Sequence, residues 1–563
     1  MKEENVYNDL YRCLTKSNEF SDDEAVIEYF GCKYTYVKLK ELIERTVFAL
    51  DRLGLKEGDK VVMSLFTSPE SIGLVYACSS LGVIPVMADI RLSQKDYEKL
   101  LDDTGAKMLF VNDICSYFVD NLAGKRPQLQ IFVVSPCDGM NMFVRAAQKA
   151  KVTIRGNFYG FSEPFRKNVF SWARVMKKSQ PLCKTAESAK GGQGEIIFTT
   201  SGTTGSWKYV VLKSYQLNLA AIQDCEIGES KEIKTVLSVM PIFACYGFIV
   251  SVHLPLILSK KVYLYPIIKA KKIPKAMLKY KPNFFAGVFG QYGELTKSKQ
   301  MQNADLSFLK MLYFGGDRYD PEVLDRVNVF LAEHGSPARL CQGYGMTEVS
   351  SCAVMQLNDD SYVKGSAGKA MRFTEIKIIN CDTAEELPVG QKGEICLHTP
   401  CQTDGYFGDD EATKELLRAH EDGKVWVHTG DLGYMDEAGN LYVIGRIKNM
   451  IVSRSGTKIF PSVIEEAMND LPAVSEAAVV VFDDEHDEYE KKIVLFISGR
   501  GAGLKGKAWL CCRRSLPMYL LPDKIVTVSS IPHTSSGKKD YALLTKRAQK
   551  YKRTLSKLQI KKK

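Results

Sequence analysis

The sequence predicts an α/β protein: a large N-terminal domain of parallel-type sheets with helices plus a β-rich subdomain, followed by a small α+β C-terminal domain. Three observations predict it. Short apolar runs alternate with helical stretches between Lys60 and Asp113. Such runs recur between Glu195 and Gly316, and from about Gly365 the texture turns to shorter alternating segments with Gly turns.

In the first series KVVMSLF (60–66), VIPVMAD (83–89) and KMLFVND (107–113) read as strands, and SPESIGLVYACSSLG (68–82) and SQKDYEKLLDDTGA (93–106) as helices. Strands separated by helices of that length are parallel and joined by crossovers, so the sheet is covered on both faces. The second series holds EIIFTT (195–200), TVLSVMP (235–241), KVYLYP (261–266), NFFAGV (283–288) and KMLYFGG (310–316). The stretch EIKIINCDTAEELPVGQKGEICLHT (375–399) reads as hairpins. After Gly445 a helix-like PSVIEEAMNDL, the runs AAVVVF and KIVLFIS, and a helix-like GKAWLCCRRSL fill a small domain. The expected division is 1–447, 448–545 and a basic, frayed tail over 546–563.

At 563 residues, 45% hydrophobic and 25% charged, the composition excludes a single small module, disorder, collagen-like repeats and fibrous coiled coil. The start, MKEENVYNDLYRC, has no apolar core behind a basic segment, which points away from secretion and to the cytoplasm. Fifteen scattered cysteines without a CxxC pair read as reduced, mostly buried thiols. The most apolar stretch, Phe243 to Ser259, is short for a membrane span and carries His253 and Pro255, so it reads as core. The net charge of +10 is concentrated in two segments: Tyr541 to Lys563, and Met140 to Pro181, where it is interleaved with aromatics. A uniformly basic nucleic-acid binder is a poor description, and no nucleic-acid partner is expected. The second basic segment is either a solvated surface with anchored aromatics or a face for phosphate-rich ligands or anionic lipid, with at most peripheral membrane contact.

The most informative segment is TTSGTTGSWK (199–208), directly after the apolar run EIIF. A strand entering a loop dense in Gly, Ser and Thr offers backbone N–H groups, hydroxyls and one lysine charge, the components of a phosphate cradle. By composition alone a flexible polar turn stays open. No Gly-Lys-Ser/Thr ends the segment, so it is not a Walker A loop.

With QGYGMTE (342–348), HTGDLGYMDEAGNLYVIGRIKNMI (428–451), SGTKIFPSVIEE (455–466) and PHTSSGKKD (532–540), this segment resembles the adenylate-forming superfamily. That superfamily comprises acyl-CoA synthetases, nonribosomal peptide synthetase adenylation domains and beetle luciferases, and the likeness is nearest to the acyl-CoA ligases. It runs from roughly residue 25 to residue 545. It implies ATP-dependent conversion of a carboxylic acid to an acyl-adenylate, then transfer to a thiol with release of AMP. The thiol is coenzyme A or, alternatively, the phosphopantetheine of an acyl carrier protein. The resemblance puts Thr200, Ser201, Gly202, Thr203, Thr204, Gly205 and Lys208 around the β- and γ-phosphates. Gly316, Asp317, Gln342, Gly343, Tyr344, Gly345 and Met346 join the nucleotide site, with Tyr344 against the adenine. Thr347 donates to the α-phosphate and Glu348 holds Mg²⁺. Asp431 accepts the ribose hydroxyls, Arg446 assists, Lys448 is the hinge of a mobile small domain, and the loop near Gly456 approaches the thiol. Lys538 screens carboxylate and α-phosphate during adenylation; its neighbour Lys539 is usually apolar in relatives.

Two departures bear on loop and substrate. Trp207, Lys208 and Tyr209 stand where relatives commonly have Pro, Lys and Gly, so ring packing is expected to stiffen the loop. Ala244 stands where relatives have His or Asp, leaving no evident counter-charge for a substrate ammonium. An α-amino acid is therefore disfavoured. A fatty or aryl acid is expected in a pocket of Ala244, Cys245, Tyr246, Phe248, Gly287, Val288 and Gly315. A non-catalytic nucleotide-binding protein is the reading from another class. The presence of Lys208, Glu348, Asp431, Arg446 and Lys538 speaks against it.

Overall fold

The computed structural model describes residues 7–17, 19–113, 118–140, 166–179, 194–201, 207–224, 232–266, 270–316, 321–447, 451–452, 458–459, 461–483, 491–516, 520–533 and 539–559. The chain forms two compact units, Met1–Ile376 with Leu397–His428, and Lys377–Cys396 with Thr429–Lys563.

The first unit carries two large sheets. One has eight strands in the spatial order Gly405–Tyr406, Trp207–Lys213, Glu195–Ser201, Ile84–Met87, Lys60–Ser64, Met108–Asn112, Gln130–Val134 and Val169–Ser171. From Glu195–Ser201 to Val169–Ser171 the neighbours are parallel, as the alternating sequence requires. The helices between them start and stop where local chemistry dictates. Ser68 caps Pro69–Leu81 and Ser93 caps Gln94–Thr104, and both helices end on a left-handed glycine, Gly82 at φ 66° and Gly105 at φ 63°. Trp207–Lys213 is a strand, and it returns antiparallel beside Glu195–Ser201. The second sheet has nine strands, and its parallel middle is built from Leu340–Tyr344, Met311–Phe314, Phe284–Gly287, Thr235–Ser238 and Lys261–Leu264.

The apolar stretch after Ala244 folds as Cys245–Phe248, a π-helical turn Ile249–His253, and Leu254–Ile257. It is core, and among the described residues no helix is long and apolar enough to cross a membrane. His253 is fully buried there, stacked on Phe248 with ring centroids 5.6 Å apart. Asn218 Oδ1 can only accept, so His253 Nε2 carries the proton (2.8 Å) and Nδ1 accepts from the Tyr76 hydroxyl (2.8 Å). From the basic-aromatic segment, Trp172 is buried edge-on against Phe110 and Phe132, and Phe170 stacks on Phe132. The rest of that segment falls largely outside the described residues.

In the second unit the strands Val474–Asp483, Lys491–Gly499 and Lys524–Thr527 form a sheet. The helix Leu504–Ser515 and the turn of helix Pro461–Glu466 contribute Ala508, Cys512 and Ile464 to the apolar cluster on it. Of the basic tail expected to fray, the residues up to Gln559 continue a helix. Tyr541–Gln559 is one helix whose Leu544 and Ala548 bury against Val480 and Phe496.

Candidate active site

The segment 199–208 lies at the turn of the antiparallel hairpin, with Thr200 opposite Lys208 and Ser201 opposite Trp207. Gly202, Thr203, Thr204 and Gly205 lie outside the described residues, and only the backbone of Ser201 is described. Strand alternation then sorts the exit residues. Trp207 and Tyr209 face the helix Gln94–Thr104. The Trp207 indole packs on the apolar cluster that includes Tyr97 and Leu100, its N–H directed at Asp96 (3.5 Å), while the Tyr209 hydroxyl donates to Asp103 (2.5 Å). Lys208 points the other way, its Nζ 4.2 Å from the centre of the Tyr406 ring.

Tyr406 reaches that position because Gly405–Tyr406 adds to the sheet edge, pairing with Val211 and Val210. Its hydroxyl donates to Glu348 Oε1 over 2.7 Å. Glu348 is buried on the single 3-10 turn Thr347–Val349, where its backbone carbonyl accepts from Thr403 N–H (2.8 Å). Among the described residues no ammonium or guanidinium pairs with it. A buried carboxylate met only by a neutral hydroxyl suits a hard cation such as Mg²⁺. The nearby Cys245 thiol is pushed well up, first by burial and then by the charges of Glu348 and Asp224.

Gln342, Gly343 and Tyr344 lie on Leu340–Tyr344, held by Gln356 on both sides of Gln342 and by Ala353 N–H on the Tyr344 carbonyl. Gly345 admits no side chain: a Cβ there would lie 1.9 Å from the Ser351 carbonyl, because the turn through Met346 and Thr347 folds back across it. The stretch from Gln342 to Thr347 stays partly exposed. Gly315 follows a strand beside Gly343, and a Cβ on it would meet the Gly343 carbonyl at 3.3 Å and Tyr246 Cζ at 4.0 Å. Gly316 is left-handed at φ 81°, and Asp317 lies outside the described residues. Of the acyl-pocket residues, Tyr246 is half-buried with its hydroxyl enclosed, whereas Phe248 is packed in the core between Tyr76 and His253. Gly287 makes room for the Gln291 side chain, which accepts from Val288 N–H (3.1 Å); Val288 itself is exposed, and Ala244 partly so.

In the second unit Asp431 and Arg446 are cross-strand partners of the ribbon Val425–Met435 and Leu441–Arg446. Arg446 Nε lies 2.8 Å from Asp431 Oδ1, and its Nη1 donates to the Thr429 carbonyl (2.9 Å). Asp431 is buried, whereas the Arg446 side chain is 47% exposed, so the guanidinium remains reachable while it holds the carboxylate. Gly430 is left-handed (φ 67°) within the strand, and the Thr429 hydroxyl accepts from Asp431 N–H. Lys448, Gly456 and Lys538 lie outside the described residues, but the ends of the last loop are pinned. His533 and Lys539 form a bridge, His533 pairs with Glu476 (2.9 Å) and Lys539 with the buried Glu465 (2.9 Å).

Sequence reasoning missed Tyr406 and Asp224. Tyr406 stands in DGYFGD without a surrounding chemical motif, and Asp224 in AAIQDCE reads as an ordinary helix end.

The AMP-binding enzyme model matches residues 14–407, and the AMP-binding enzyme C-terminal domain model matches 463–538. An indoleacetate–CoA ligase of Aromatoleum aromaticum is 27% identical over 506 residues, which covers 90% of this chain and 91% of that protein. A long-chain-fatty-acid–CoA ligase of Bacillus subtilis is 27% identical over 542 residues, covering 94% and 92%. The ATP-bound MatB of Rhodopseudomonas palustris superposes with a TM-score of 0.79 at 20% identity, covering 96% of this chain and 99% of that one. A benzoate CoA ligase from Burkholderia xenovorans gives 0.76 at 19%, with the same coverage. Those two likenesses concern the fold. The match over 14–407 takes in the phosphate-loop hairpin, Glu348 and Tyr406, and by it the chain belongs to the AMP-binding enzyme family.

Proposed function

We propose that this enzyme activates a fatty or aryl carboxylic acid with ATP and passes the acyl group to coenzyme A. In the first step a carboxylate oxygen attacks the α-phosphorus, a new P–O bond forms and pyrophosphate leaves. In the second a thiolate attacks the acyl carbon and AMP leaves. The observation that carries the reading is Lys208 and Glu348 on one ring, a cation and a buried carboxylate at the exit of a Gly/Ser/Thr loop. The CoA ligases among the relatives support the same reading.

In it Lys208 and the loop before it bind the β- and γ-phosphates. Tyr344 packs on the adenine, Thr347 donates to the α-phosphate, and Asp431 with Arg446 orients the ribose. Glu348 would hold Mg²⁺, which when bound neutralises charge on the phosphate oxygens. Lys538 screens the two anions as they approach. The reaction requires a supply of ATP and free CoA, which the cytoplasm offers.

The test is pyrophosphate release with Mg-ATP across fatty, aryl and amino acids, with and without CoA, following AMP and thioester by mass spectrometry. Acid-dependent pyrophosphate with acyl-CoA supports the proposal. Adenylate without thioester moves the acceptor to a carrier-protein phosphopantetheine, and no pyrophosphate with any acid overturns the reading.

A further inference from the structure

Asp224 ends the helix Ser214–Gln223. Its residue is almost wholly buried, and neither carboxylate oxygen has a hydrogen-bond partner among the described residues. It stands at the negative end of the helix dipole, where a carboxylate is least welcome. Burial drives its pKa well up, and among the described residues no cation opposes this. The helix end does not need it as an anchor. The preceding Gln223 does that work, donating to the Cys352 carbonyl (3.0 Å) and accepting from the Thr374 hydroxyl (3.3 Å).

Among the other buried polar atoms that share this fate are the hydroxyls of Tyr246 and Tyr313. Burial pushes both phenols up and the charge of Asp224 adds a smaller effect in each, yet among the described residues none of the three bonds another. The cluster adjoins the glycines that open the site. Tyr246 Cζ is 4.0 Å from where a Cβ on Gly315 would stand, and the Cys352 Sγ, also within reach of Asp224, is 3.2 Å from a Cβ on Gly343. A carboxylate and two phenols buried without partners are costly, and a cost of this kind is retained where a ligand supplies the missing bonds.

We propose that Asp224, with Tyr246 and Tyr313, forms the polar end of the acyl pocket and selects carboxylic acids that carry a hydrogen-bond donor, hydroxyl or amino, remote from the reacting carboxylate. The inference rests on the ligase reading above. It also supplies from another element the acidic group that Ala244 does not.

The test uses the full chain with Mg-ATP and CoA, and matched sets of aryl and alkyl acids, each plain, hydroxyl-bearing and amino-bearing. For at least one set, kcat/KM for a donor-bearing acid is expected to exceed that for the plain acid by about tenfold or more, since a site built to bond a donor rejects the analogue without it. Asp224→Leu reverses the preference towards the plain acid. Asp224→Asn separates the sources: it keeps preference for a hydroxyl and loses preference for an amine. Because the carboxylate is unpartnered, Asp224→Leu is expected to melt no lower than the parent; a lower melting temperature assigns Asp224 a structural role and overturns the proposal. Equal rates for plain and donor-bearing acids in every set, or a preference unchanged by Asp224→Leu, overturn it too. If no acid yields pyrophosphate, the ligase reading fails separately. Calorimetric titration of the same acids into parent and Asp224→Leu proteins then decides the pocket, with equal affinities counting against it.

Discussion

Tyr406 donates its hydroxyl to Glu348 Oε1 over 2.7 Å, 58 residues away in sequence, while the face of the same ring carries the Lys208 ammonium at 4.2 Å. One aromatic side chain therefore fixes the carboxylate proposed for Mg²⁺ and the lysine proposed for phosphate, and keeps them from neutralising each other. The spacing works because Tyr406 lies on the edge strand that pairs with the strand of Lys208.

Tyr406→Phe removes the hydroxyl and keeps the ring. Leaving a buried carboxylate oxygen without its donor is expected to cost about 1–3 kcal/mol of stability, and adenylation kcat/KM should fall about tenfold. Tyr406→Leu should also raise the KM for ATP, since the ring under Lys208 is lost. Denaturant melts and pyrophosphate exchange check both; a Phe variant with parental activity would show that the hydroxyl is dispensable.

The adjacent lysines of the last loop should part company. Lys538→Ala is expected to lower adenylate formation by about three orders of magnitude, the scale of a lost charge stabiliser, with ATP binding and melting temperature unchanged. Lys539→Ala should act on stability instead. It takes the cation from the buried Glu465, which keeps the Val479 N–H and the Tyr541 hydroxyl, at a cost of about 1–3 kcal/mol. Single-turnover assays and melting curves of the two variants distinguish the roles.

Asp431→Asn should weaken nucleotide binding itself, read as a rise of about tenfold in Kd for AMP by calorimetry, because a neutral amide no longer presents two acceptors to the ribose. Arg446→Ala should act in the same direction by freeing the Asp431 carboxylate to move. Unchanged affinity in both variants would remove the pair from the ribose site.

Burial holds the His253 pKa down to about 3, below its ordinary 6.5. The folded state keeps the ring neutral, so the contribution is complete above about pH 6.5. As the pH falls the unfolded chain takes a proton that the fold refuses, and stability drops by about 1.4 kcal/mol per pH unit towards pH 3. His253→Gln should flatten that acid slope by one proton. Urea unfolding of both proteins at several pH values between 7 and 4 measures the difference.

Much of the architecture was legible because it is local. The apolar runs 60–66, 83–89 and 107–113 became the strands Lys60–Ser64, Ile84–Met87 and Met108–Asn112, and the stretches between them became helices. Local reading failed where a partner strand lies across a turn or a charge is absorbed by packing. Trp207 to Tyr209 looked like the end of a loop but begin a strand paired with Glu195–Ser201, and the lysine-rich tail looked frayed although up to Gln559 it continues a helix that buries Leu544 and Ala548.

By itself the sequence determined the alternation of strand and helix and the kinship carried by its motifs, since periodicity and short motifs are properties of neighbouring residues. Only the tertiary structure decided that Tyr406 joins Lys208 to Glu348, that Lys539 is spent on Glu465, and that Asp224 is buried without a partner among the described residues. Those facts follow from strand order and burial. Both are set by packing between residues far apart in the chain, and no local pattern encodes them.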